Sequence, residues 1–166
     1  MNYVELINAT HQWALDRKIV ENGKTFTQTI KLISEFGELC DGIIKDRPHE
    51  IKDAIGDMMV VISNIASIKG EQWRTFLLTK CKQPVDQPLP DFKDDQRRRI
   101  YQLLEKCQCF LEKDWTNGFD APRHLKVLAA SEGLTLEECW ESAYNEIKDR
   151  KGYLNEFGNF IKEGDV

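Results

Sequence analysis

Three features of the sequence predict an all-α fold. Apolar residues recur at helical spacing almost throughout, and the breaks between those stretches carry glycine, asparagine and proline. Near the C-terminus, Thr135-Leu136-Glu137-Glu138 has the form of a capping box, in which a threonine and a glutamate three residues on satisfy each other's exposed amides.

Taken in order, Asn2 to Arg17 reads as a first helix with Val4, Leu6, Ile7, Trp13 and Ala14 on its inner face. Glu21-Asn22-Gly23-Lys24 breaks it, because glycine and asparagine are poor residues for a helix interior. A second helix opens near Thr27 or Thr29, runs to about Lys45, and carries Ile30, Ile33, Leu39 and Ile43 along one side. Asp46-Arg47-Pro48 punctuates the chain, with Pro48 where a first helical turn tolerates it. A third helix spans His49 to Lys69 and stops at Gly70, with a stripe of Ile51, Ile55, Met58, Ile62 and Ile65. Two long helices joined by so short a turn are expected to pack antiparallel. Pro84, Pro88 and Pro90 make residues 71–92 read as a loop or irregular segment. Helical period returns from Asp94 to Lys113 through Ile100, Leu103, Leu104, Cys107 and Leu111. Asp114 to Gly118 breaks it, a short helix follows Pro122, and the capped last helix is expected to run to about Lys151. The remaining tail holds too few periodic positions to extend it.

Composition narrows the class. A chain of 166 residues suits one domain better than two, and 41% hydrophobic with 31% charged residues is ordinary for a globular protein. There is no run approaching the roughly 20 apolar residues that cross a bilayer, and the N-terminus lacks the pattern of a secretory signal, so no membrane association is expected. Five cysteines form an odd set with no paired Cys-x-x-Cys framework, and Cys107-Gln108-Cys109 is too tight and isolated for a zinc site. Reduced thiols in a cytoplasmic protein are the simplest account. A net charge of −5 argues against a nucleic-acid partner, and Arg97-Arg98-Arg99, flanked by Asp94, Asp95 and Glu105, reads as a solvated helix face.

Chemistry concentrates on the second and third helices. Glu35 and Glu38 are three residues apart and so are neighbours on one face, about 5–6 Å apart at Cβ. On the next helix, Glu50, Asp53 and Asp57 fall within a narrow strip, at roughly +20°, −40° and 0° on a wheel of about 100° per residue. Asn64 shares that strip at roughly −20°. Facing helices would bring up to five carboxylates into one groove, where like charges repel and push pKa values upward. Hard divalent cations relieve that repulsion, and Mg²⁺ favours carboxylates, waters and substrate phosphates. The plainer reading is a pair of solvated acidic helix faces. Gly37 and Gly56 bear on the choice, because each costs about 0.5–1 kcal/mol inside a helix and each precedes a candidate ligand. They leave room either for metal and phosphate or for a tight helix contact.

These residues resemble the signature of MazG-type all-α nucleoside triphosphate pyrophosphohydrolases. Glu35-Phe36-Gly37-Glu38-Leu39 is similar to the first motif, a Glu-x-x-Glu, and Asp53-Ala54-Ile55-Gly56-Asp57-Met58-Met59-Val60 to the second, a Glu-x-x-Asp. Leu134 to Gly152 and the Phe160-Ile161-Lys162-Glu163 tail resemble the closing segment of a MazG-like subgroup found in phages and bacteria. The resemblance covers residues 1–70 and 130–163, so residues 71–130 read as an insertion within a single domain of residues 1–166. It implies a helical bundle that assembles with a second chain as a homodimer or homotetramer. It also implies Mg²⁺-dependent hydrolysis, with Mn²⁺ an accepted substitute, of a nucleoside triphosphate to a monophosphate and pyrophosphate.

Carried over by position, Glu35, Glu38 and Asp57 match metal ligands, and Glu38 or Glu35 would orient the attacking water. The family's second-helix glutamate falls at Ala54, a departure that leaves Asp53, or Glu50 in its own Glu-x-x-Asp, as the replacement ligand. Cations are then needed against the phosphates. Lys148, Arg150 and Lys151, with Asn145 a turn earlier, are the candidates, although cations are also favoured at a helix C-terminus for its dipole alone. Asn8 and Trp13 are candidates for the base pocket, with plain core packing the alternative for Trp13. A purine deoxynucleotide such as dGTP or dATP is the first substrate to test. A dUTP or alarmone hydrolase, and a non-catalytic nucleotide- or partner-binding helical module, are the competing readings.

Overall fold

Met58, Ile55, Ile62 and Ile65 have no exposed surface, because the helix that carries them lies at the centre of the molecule. The computed structural model describes residues 1–84 and 92–164 and, in the helix that begins at Phe92, the side chains from Gln96 on, Arg97 excepted. Pro88, Pro90 and the side chains of Asp94, Asp95 and Arg97, used above as sequence markers, lie outside what it describes.

The chain is mostly helical: α1 (Tyr3–Asp16), α2 (Ile19–Asn22), α3 (Thr25–Ile44), α4 (Pro48–Lys69), α5 (Glu71–Lys82), α6 (Phe92–Leu111), α7 (Trp115–Gly118), α8 (Ala121–Ser131) and α9 (Leu136–Ile147). An antiparallel hairpin follows, β1 (Gly152–Leu154) pairing with β2 (Phe160–Lys162), with Tyr153 opposite Ile161. α4 packs against α1, α3, α5, α8 and α9, so its apolar residues hold one continuous core together.

Local signals set several boundaries as expected. Asn2 caps α1 and Thr135 caps α9, each in a reciprocal capping box with the glutamate three residues on. Pro48 opens α4, and Gly70, at φ 105°, ends it in a backbone conformation that side chains disfavour.

Other expectations are corrected. Residues 71–82 form α5, not a loop. Pro84 lies beyond the helix end, while Trp73, Phe76, Leu77 and Cys81 keep helical spacing and turn inward, Trp73 stacking on Phe119 at 5.5 Å. On α3 the inward face is Gln28, Leu32, Glu35 and Leu39, and Ile30 is 49% exposed. Of the expected stripe, Leu39 is buried and Ile33 and Ile43 are half-buried against the core, so Ile30 alone departs from it. Val4, Leu104 and Leu111 are likewise exposed. Arg99 is fully buried, not solvated, because it shares the inner face of α6 with Leu103, Cys107 and Phe110.

α9 ends at Ile147, short of the expected Lys151. Its orphan carbonyls are taken by α1: the Trp13 indole N–H donates to the Ile147 carbonyl at 2.8 Å, and the Arg17 guanidinium donates to those of Lys148 and Arg150. With those groups satisfied, the chain is free to leave the helix and form the hairpin. Gly158 at the hairpin turn, φ 79°, sits so close to α2 that a Cβ there would lie 2.8 Å from the Asn22 carbonyl.

Candidate functional site

α3 and α4 run antiparallel, with Gln28 beside Asn64 at one end of their seam and Glu35 within electrostatic reach of Asp57 two turns along. A cavity of about 180 Å³ opens over this seam. α3 contributes Gln28, Lys31 and Glu35; α4 contributes Asp57, Val60, Val61 and Asn64. Trp13, Ile147 and Arg150 close one side, and Asn159, Phe160 and Lys162 of the hairpin region close another. Phe160 meets Trp13 edge-on at 5.7 Å, and the Arg17 guanidinium lies over both rings.

Glu35 is only 3% exposed and takes its charge partner from its own helix, Lys31, at 2.5 Å. Burial pushes the Asp57 carboxyl up to about 7; the Glu35 and Asp53 charges add to the shift, while Lys31 and Arg150 oppose it. The Glu38 carboxyl is also raised, first by desolvation and then by Glu35, with Asp53 adding and Lys31 opposing. Glu38 and Asp53 line an adjoining groove with Ser34, Gly37, Asp41 and Glu50. Glu50 is additionally paired with Arg47 at 2.7 Å. The five sequence candidates therefore divide, Glu35 and Asp57 into the cavity and Glu38, Glu50 and Asp53 into the groove beside it.

Among the described residues, no three Asp, Glu, His or Cys side chains converge as a ready metal-binding group. The donor chemistry nevertheless suits a hard divalent cation: the Glu35 and Asp53 charges help raise the proton affinity of Glu38 and Asp57, a repulsion that such an ion relieves. The glycine ambiguity resolves differently at each position. A Cβ on Gly37 would meet nothing within 4 Å, so that position leaves the groove open. A Cβ on Gly56 would lie 2.3 Å from the Cys139 carbonyl oxygen, so Gly56 serves the close contact of α4 with α9.

Of the cationic candidates, Arg150 lines the cavity. Lys148 instead donates to Asn145 at 3.0 Å on the exposed surface, and Lys151 lines a separate depression with Tyr153 and Glu163. Asn8 lies in another shallow depression, with Glu71 and Arg74. Trp13 reaches the cavity while also packing in the core. Gln28, Lys31 and Asn159 were not singled out from sequence. Gln28, Lys31 and Glu35 do share one helical face, at i, i+3 and i+7, which is the signal that could have found the first two.

No known protein-family profile matches the chain, and no solved structure matches it significantly. Over 62 residues the chain is 50% identical to an "Uncharacterized 18.2 kDa protein in rep-hol intergenic region" of Haemophilus phage HP1 (strain HP1c1). That stretch is 37% of this chain and 38% of the phage protein, so the chain matches well under half of that relative's length.

Proposed function

We propose that this chain is a metal-dependent nucleoside triphosphate pyrophosphohydrolase of the MazG-like all-α class, converting a (d)NTP and water to a (d)NMP and pyrophosphate. The observation that carries the reading is the meeting of Glu35 and Asp57 across the α3–α4 seam. They meet in a cavity that also holds three cationic side chains, Lys31, Arg150 and Lys162, and two aromatic ones, Trp13 and Phe160. Charged phosphates and an apolar heterocycle need such a division of surface.

In this reading Glu35, Glu38 and Asp57 hold Mg²⁺, with Asp53 and then Glu50 as further ligands. The bound metal supplies charge neutralisation of the triphosphate and a more acidic coordinated water. Glu35 or Glu38 orients the water for attack on the α-phosphorus, breaking the bond to the bridging oxygen of pyrophosphate. Arg150 meets the phosphates, and Lys31 moves from Glu35 to join it; Lys148, Lys151 and Asn145, outside the cavity, are left without that role. Trp13 and Phe160 flank the base. Assembly with a second copy belongs to the same proposal, supported by the exposed Phe26, Ile30 and Ile44 of α3.

The test is release of pyrophosphate against orthophosphate from a panel of ribo- and deoxynucleoside triphosphates with Mg²⁺. Pyrophosphate is expected; orthophosphate alone, or no turnover on any nucleotide, would overturn the reading. The Lys31–Glu35 ion pair favours one competitor, a nucleotide-binding module without catalysis, which the same panel reveals as binding without turnover.

A further inference from the structure

Glu35 and Asp57 stand midway along the α3–α4 seam, and stepping back seven residues on α3 and forward seven on α4 reaches Gln28 and Asn64 at one end of it. Seven helical residues advance about 10 Å, the order of the separation between a nucleotide's first phosphate and its base. Both amides line the cavity, and both are buried, Asn64 to 4% exposure. The Asn64 amide group donates to the Gln28 side-chain oxygen at 3.3 Å, which turns the Asn64 carbonyl oxygen away from it. Among the described residues that oxygen has no hydrogen-bond partner.

A buried amide acceptor without a partner is costly, and proteins rarely keep one without a use for it. The residue that carries it lines the cavity together with Val60, Val61 and Ile19. Resting on the function proposed above, we propose that Asn64, held in orientation by Gln28, is the base-reading residue, and that it accepts a hydrogen bond from the exocyclic amine of an amino-bearing nucleobase. An imide edge of the thymine or uracil type suits the position poorly. It flanks its N–H with two carbonyl acceptors, and one of the two Asn64 N–H donors is already committed to Gln28. Gln28 is a positioning residue in this scheme, and Trp13 and Phe160 supply the apolar surface that every base shares.

The experiment compares the parent with Asn64→Leu, using dATP, dGTP, dCTP, dTTP and dUTP as substrates and inorganic tripolyphosphate as a base-free competitor. The parent is expected to have its lowest KM on an amino-bearing nucleotide. Asn64→Leu is expected to raise that KM by about tenfold or more, the scale of a lost specific base contact, and to leave the tripolyphosphate inhibition constant unchanged. Gln28→Met, a second variant in case the first folds poorly, should raise the same KM by a smaller factor and likewise spare tripolyphosphate. A parent that prefers dTTP or dUTP, variants that keep the parent's KM and base ranking, or equal losses on tripolyphosphate would each overturn the assignment while leaving the pyrophosphohydrolase intact. A parent that turns over none of the nucleotides overturns both.

Discussion

The ammonium of Lys31 lies 2.5 Å from the carboxylate of Glu35, one turn along α3, and the two differ sharply in exposure: the Lys31 side chain is 57% exposed and that of Glu35 is 3% exposed. An exposed cation thus pairs with a buried carboxylate. In the proposed function Mg²⁺ and Lys31 alternate at the same carboxylate.

Lys31→Met removes the partner and leaves Glu35 buried without its ion pair. In EDTA the variant should be less stable than the parent by about 1–3 kcal/mol, the usual cost of orphaning a buried polar group. Added Mg²⁺ should recover part of that loss, since binding to the folded state stabilises it. Chemical denaturation with and without Mg²⁺ measures both effects, and a variant as stable as the parent in EDTA would refute the role given to the pair.

Asp57→Asn separates binding from stability. The native carboxyl, raised from 3.8 to about 7, keeps its proton between those values while the unfolded chain loses it. Metal-free stability attributable to Asp57 therefore falls as pH rises from about 4 to about 7. Asp57→Asn abolishes that fall, so at pH 8 in EDTA it should be more stable than the parent, yet inactive and less stabilised by Mg²⁺. Glu38→Gln should also lose turnover with its helical signature intact. Parent-like rates in both variants would place the chemistry elsewhere.

His124 predicts the opposite slope. Burial first, then the charges of Lys106, Arg99 and Arg123 against that of Asp120, pushes its pKa from 6.5 down to about 4. Between those values the unfolded chain binds a proton that the native protein refuses, so stability due to this residue rises with pH across the window. His124→Gln should flatten the loss of melting temperature below pH 6.5. An unchanged acid limb would show that the imidazole does not titrate as its surroundings dictate.

The groove carboxylates bear on the departure at Ala54. Asp53→Asn should raise the Mg²⁺ requirement for activity, and more than Glu50→Gln does, because Glu50 already shares its charge with Arg47. Ala54→Glu, which restores the residue expected from the resemblance, is not expected to rescue it. Ala54 is 3% exposed in the core, and a carboxylate there would be desolvated and unpaired. A metal titration of the three variants decides the ranking.

The two helix glycines should respond with opposite signs. Gly37→Ala adds a methyl to open space in a helix and should stabilise by about 0.5–1 kcal/mol. Gly56→Ala forces α9 away from α4 and should destabilise by about 1–3 kcal/mol, as overpacking does. Thermal melts of the pair suffice, and equal shifts would contradict the packing described for α4 and α9.

The sequence by itself determined what a helix decides within a few turns of its own chain. The capping box at Thr135, the stop at Gly70, the inner stripe of α4 and the placement of carboxylates on α3 and α4 all follow from a period of about 3.6 residues and from local backbone groups needing partners. Only the tertiary structure decided which faces meet. On α3, packing buried the polar Gln28 and Glu35 and left the apolar Ile30 exposed, an outcome that hydrophobic period alone does not give. The same holds for α9, whose end depends on Trp13 and Arg17 more than 130 residues earlier in the chain, and for Arg99, whose burial no run of three arginines suggests. Side chains brought together from distant helices compete for carbonyls, charges and space, and that competition leaves no trace in local spacing. For that reason the carboxylates of the candidate site, and the helical face that Gln28 and Lys31 share with Glu35, were legible in the sequence, while the pairing of Asn64 and the closing hairpin were not.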